Sequence, residues 1–136
     1  MKTTKPENVR LLIAHLKSLP NGKSSHSSLM DLAVNNHPTC GTVGCIAGEA
    51  YRLQYLHRPA GLAASERIWN LSWPSIAHSA EKWLGLWDGE GHSIFHVNQW
   101  PEDLYQKYRV WARTPRKTLK GERALMIKRL ERLLKA

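Results

Sequence analysis

The chain has 136 residues, 42% of them apolar, which is enough for one domain with its own core and makes neither a metal nor a disulfide necessary for folding. No apolar run approaches the ~18–20 residues of a membrane span, so a helical membrane protein is not expected. The formal net charge is +9, and it is unevenly placed: residues 1–108 hold ten Lys/Arg against nine Asp/Glu, whereas residues 109–136 hold ten against two. That asymmetry predicts a near-neutral helical body over residues 1–112 and a basic C-terminal arm over residues 113–136, docked on the body.

In chain order, Val9, Leu12, Ile13 and Leu16 recur at helical spacing, and Pro6 suits a first turn. Pro20-Asn21-Gly22 ends that helix. The polar stretch 24–28 leads to a short predicted helix, Leu29 to Val34, and a loop at 35–38. Val43 to Leu56 reads as a helix with Thr42 as its N-cap. Its Ile46, Ala50 and Leu53 fall on one apolar stripe, and Gly44, Ala47 and Gly48 make a small-residue face that admits a close neighbour. Ala60 to Leu71 has helical character. Pro74 opens the next helix, Ser75 to Leu84, which stops near Gly85. WDGEG (87–91) is a turn, with one helical turn running to Phe95. Pro101 opens a helix over Glu102 to Ala112, and RTPRK (113–117) links it to a last helix, Leu119 to Leu134. No period-2 strand pattern is legible. The expected fold is mainly α, a compact bundle of about five to seven helices in one domain.

The last helix carries two patterns. Leu119, Met126, Ile127, Leu130, Leu133 and Leu134 form an apolar stripe, and Lys120, Arg123, Lys128, Arg129, Arg132 and Lys135 line the remainder. Together with Arg113, Arg116 and Lys117 these cations are the candidate surface for nucleic acid or another acidic partner. No sequence-reading motif accompanies them, so base-specific readout is not expected. The plainer alternative is an amphipathic helix with a solvated face.

Both cysteines lie in CGTVGCIAGEA, residues 40–50. Four readings compete. Cys40 and Cys45 with His92 and His96 make a Cys2His2 set that could hold zinc, though 46 residues separate the pairs. Cys45, in a first helical turn, could serve as a thiolate nucleophile, with some likeness to the C-G-[SA]-C stretch of papain-like proteases, but the spacing differs and Glu49 opposes ionisation. Gly41 to Gly44 exposes N–H groups suited to an anion, without the Lys-Ser/Thr of a P-loop. Packing is the preferred reading: tight glycines, a capping Thr42 and small residues facing a neighbour. No cofactor is expected, zinc being the exception to test. The six tryptophans divide similarly. Trp87 and Trp100 flank a loop that could anchor a partner, but indoles are usually buried and both are expected to fold inward.

CGTVGCIAGEA resembles the CGTxxCIAG-type signature of small, mostly uncharacterised proteins of bacteria and their phages. Those chains continue with LGL, LF and WP segments, matched here by Leu84-Gly85-Leu86, by Ile94-Phe95 with Ile for Leu, and by Trp100-Pro101. The likeness spans roughly residues 9–104 and leaves the basic arm outside. It implies a small helical fold and a phage or prophage origin, and it carries over no residue role. The expectation from all of this is a phage-type cytoplasmic protein, not an enzyme. It contacts nucleic acid or a host protein or nucleoprotein complex through its arm and could act as an inhibitor of a host system. One alternative is a metal or thiol enzyme centred on Cys40, Cys45, His92 and His96, with His37 and Glu49 as further candidates. Another is an assembly protein that oligomerises through the last helix.

Overall fold

The computed structural model describes residues 2–18, 46–55, 73–115 and 119–135. Among the described residues, five helices of ten residues or more carry the fold: α1 (Pro6–Ser18), α2 (Ile46–Tyr55), α3 (Trp73–Trp83), α5 (Glu102–Arg113) and α6 (Leu119–Lys135). Between α3 and α5 lie a one-turn helix, α4 (His92–Phe95), and a 3-10 turn, Val97–Gln99. No strand occurs among the described residues, and the helices pack into one compact mainly α bundle. The expected helices at 29–34 and 60–71, the N-cap Thr42 and both cysteines lie outside the described residues.

Each long helix follows from its apolar spacing. In α1 the stripe Val9, Leu12, Ile13, Leu16 is buried, Pro6 and Glu7 occupy the first turn, and His15 and Lys17 the last, as the helix dipole favours. In α2, Ile46, Ala47 and Ala50 are buried, and α3 lies closely against it, as small side chains allow. Gln54 of α2 and Ser79 of α3 hydrogen-bond across that contact (3.3 Å). The core then runs through Ala80 and Leu84, Ile94 and Phe95, Trp100 and Leu104, and closes on Leu125, Met126, Leu130 and Leu133 of α6. The arm is thus a docked helix, packed against α1 and α5.

The joints coincide with the LGL, LF and WP segments. At the end of α3, Gly85 sits at φ +71°, its N–H donates to the Lys82 carbonyl (3.0 Å), and the Leu86 N–H donates to the Glu81 carbonyl (3.0 Å). This is the left-handed helix stop that glycine permits at low cost. The N-terminal segment completes it: the Thr4 N–H donates to the Gly85 carbonyl (2.9 Å), the Thr3 hydroxyl to the Leu84 carbonyl, and the Asn8 amide to the Trp83 carbonyl (2.8 Å). Carbonyls left open by the end of one helix are therefore satisfied by the start of another. Ile94 and Phe95 are buried, and the Trp100 indole donates to the Ile94 carbonyl (2.7 Å) before Pro101 opens α5.

The two flanking tryptophans part ways. Trp100 is buried as expected and stands edge-on to Tyr108 (5.8 Å), but Trp87 is 73% exposed at the turn. The correction has a backbone cause. Glu90 accepts the Trp87 N–H (2.8 Å) and Leu86 takes the inward position beside it, so the neighbouring indole is left outside.

Candidate functional site

The cationic helix is built by its own periodicity. Over α6, Glu122, Arg123, Leu125, Met126, Arg129, Leu130 and Leu133 are buried, and Lys120, Ala124, Lys128, Glu131 and Lys135 are exposed. At ~100° per residue the exposed set occupies an arc of about 80°, opposite the buried one. Lys120, Lys128 and Lys135 therefore form an outward stripe with Glu131 among them. On α5, Lys107, Arg109 and Arg113 are exposed towards the C-terminal half, and Arg109 lies over the Tyr105 ring (5.8 Å). Arg116 and Lys117 lie outside the described residues.

Three arginines of the expected surface are engaged by the molecule itself. Arg123 (9% exposed) donates to the Leu16 carbonyl at the end of α1 (3.4 Å), within the field of the Glu49 and Glu122 carboxylates. Burial lowers its pKa from the ordinary arginine range, and those carboxylates oppose the shift. Arg129 (6% exposed) donates its Nε–H to the Ser93 carbonyl (3.1 Å) and is lowered by burial and then by Arg132. Arg132 forms a two-pronged pair with Asp103 of α5. The reason is geometric: residues 123 and 129 fall on the inward arc, and the groups that make their burial tolerable come from α1, α2 and α4. The exposed cation set is thereby narrower than the composition predicts.

The Arg132 guanidinium holds the Asp103 carboxyl at about 2, from an ordinary 3.8, chiefly by its hydrogen bond. A carboxyl lowered in the folded state stabilises above its unfolded pKa and loses that contribution as pH falls through the folded value. The difference in urea midpoint between the native chain and Asp103→Asn should therefore be constant near neutrality. It should shrink progressively between about pH 4 and about pH 2. A difference that is flat across that window would show that the pair contributes nothing to stability.

Behind Arg123 lies a polar network inside the bundle. Glu49, with no exposed surface, pairs with His15 Nε2 (2.8 Å). Glu122 accepts the Tyr108 hydroxyl (2.6 Å), and burial, followed by that carboxylate, raises the tyrosine pKa. Glu49 thus serves the packing of three helices, α1, α2 and α6.

A second feature sits between α3 and the turn that follows it. Ala77, His78, Glu81, Asp88, Gly89, His92 and Phe95 line a cavity of about 510 Å³. Glu81 is buried, and its two oxygens accept the N–H groups of Gly89 (3.1 Å) and Gly91 (2.7 Å), which fastens the turn to the helix. His92 belongs to this wall, while its ring stacks on His96 (5.1 Å, 17° between planes). An ion shared by two imidazoles lies in the plane of each, and nearly parallel planes do not meet beside the nitrogens. His92 and His96 are thus stacked rather than convergent, and their expected partners Cys40 and Cys45 lie outside the described residues. Sequence reasoning passed over His78, Glu81 and Asp88. The readable signals were the His-x2-Glu spacing on a helix and the Asp-x3-His spacing after it.

Comparison with known proteins yields no matching family model, curated protein or solved structure. No helix among the described residues is long and apolar enough to cross a membrane.

Proposed function

We propose that the chain is a small helical binding protein of phage type that contacts nucleic-acid phosphates through the outer face of its C-terminal helix. The observation that carries this reading is the outward arc of Lys120, Lys128 and Lys135 on α6, with Lys107, Arg109 and Arg113 exposed on α5, the helix packed against it. Lysines on one face of a helix suit a row of phosphates, which demands charge but no fixed hydrogen-bond geometry. The internally bonded Arg123 and Arg129 serve instead to seat the helix. A host nucleoprotein as the partner, and interference with its action, is the extension that the phage resemblance supports.

The test is a salt titration of binding to duplex DNA, duplex RNA and single strands of arbitrary sequence. If about four to six phosphates are contacted, log K should fall against log salt with a slope of about −4 to −5 on duplex DNA. The triple substitution Lys120→Gln, Lys128→Gln, Lys135→Gln should reduce that slope by about 2–3 with the fold unchanged. No binding at low salt, or an unaltered slope in the triple variant, removes the reading. Capture of a host protein without nucleic acid would redirect it to a protein partner.

A further inference from the structure

We propose that His78, Glu81 and Asp88 form a binding site for a first-row divalent transition-metal ion, on the wall of the cavity shared with His92. A ligand atom from each of the three lies within 4.8 Å of the other two. An ion ~2.0–2.2 Å from each nitrogen or oxygen donor needs those donors about 3–3.5 Å apart. Small side-chain rotations close that gap, and the two residues that must rotate, His78 and Asp88, are the exposed ones.

The third ligand does not need to move. His78 and Glu81 stand three residues apart on α3 and so share one face. Glu81 is held by backbone N–H groups on both oxygens, which fixes its orientation and still leaves each oxygen a lone pair. The same two bonds bring the turn carrying Asp88 against the helix. A Cβ at Gly91 would stand 2.7 Å from Glu81 Oε2 and 2.7 Å from the Phe95 ring, so this approach depends on glycine there. Orienting bonds to a metal ligand and a loop that delivers another are the supports a metal centre requires.

Charge points the same way. Two carboxylates lie close together, one of them buried, and the described lining residues include no lysine or arginine. A divalent cation between them relieves that repulsion. The imidazole of His78 makes the set a mixed nitrogen and oxygen one, which suits zinc, cobalt, manganese or iron better than calcium with its all-oxygen shell. His92 lines the same cavity without belonging to the three-residue group, and the cavity leaves room for water or a small ligand to complete the coordination. The site is separate from the cationic stripe and does not depend on the phosphate reading.

The test uses the full chain, freed of metal and without an affinity tag, titrated with Co²⁺ under reducing conditions and followed by visible absorption. One ion per chain should bind, with the d–d bands of nitrogen and oxygen ligation and without a thiolate charge-transfer band, and Zn²⁺ should displace it. His78→Ala and Asp88→Ala, both at exposed positions, should each weaken Co²⁺ binding by about tenfold or more while circular dichroism stays unchanged. Absence of saturable binding by the native chain, a thiolate band abolished by Cys40→Ser and Cys45→Ser, or unchanged affinity in both variants would overturn the assignment.

Discussion

Glu49→Ala should lower the free energy of unfolding by about 3–5 kcal/mol, because removing one partner of a buried charge network strands the others. Glu49 is wholly buried, bonded to His15 at 2.8 Å, and one of two carboxylates whose field acts on Arg123. A total stability of about 5–15 kcal/mol makes this a loss of about a fifth or more. Glu49→Gln keeps the shape and some hydrogen bonding but not the charge, and should cost less, about 1–3 kcal/mol. The combined replacement His15→Leu, Glu49→Leu, Glu122→Gln, Arg123→Met should recover most of the loss, since a cluster without desolvated ions needs no countercharges. Urea midpoints with unchanged slopes measure all three. If Glu49→Ala costs under about 1 kcal/mol, the network does not hold the bundle together.

Gly85→Ala should cost about 2–5 kcal/mol, by the sum of two effects. A side chain in the left-handed region costs about 1–2 kcal/mol, and forcing a methyl into packed structure about 1–3 more. At φ +71° the new Cβ would stand 2.5 Å from the Lys5 backbone nitrogen and 2.8 Å from the Thr4 hydroxyl. The N-terminal segment would have to lift, with loss of the bonds from Thr3 and Thr4 to the Leu84 and Gly85 carbonyls. Gly89 provides the control: it too has positive φ, +87°, but nothing lies within 4 Å of its Cβ position. Gly89→Ala should therefore cost only the conformational part, about 1–2 kcal/mol. In a chain lacking residues 1–5 the gap between the two substitutions should close. A gap that persists would place the strain somewhere other than this contact.

These two sites mark where local pattern stops being informative. Gly85 was legible as a helix stop, because glycine after an apolar-periodic run is a local signal, but the docking of Thr3 and Thr4 on it joins positions 81 residues apart. Glu49 was legible as a carboxylate one turn after Cys45, and its burial was not. The same holds for Arg123 and Arg129. Arginine is almost never buried unless paired, so a reading without partners places it outside. Besides the adjacent Glu122 carboxylate, the partners include the Glu49 carboxylate, the Leu16 carbonyl and the Ser93 carbonyl, all of them distant in the chain. His78, Glu81 and Asp88 escaped for a related reason: only the backbone bonds from Gly89 and Gly91 to Glu81 fold Asp88 back over the helix.

The chain by itself determined the helices of the described residues, their apolar stripes and the basic character of its last segment. Each of these rests on spacing within a few turns, where 3.6 residues per turn brings the same side chains together whatever the rest of the molecule does. Tertiary structure decided which charges reach water. Whether an arginine or a glutamate is surface or core depends on whether a distant element supplies the opposite charge or the open carbonyl that offsets desolvation. The exposed lysines of α6 and the carboxylates beside His78 owe their positions to that choice.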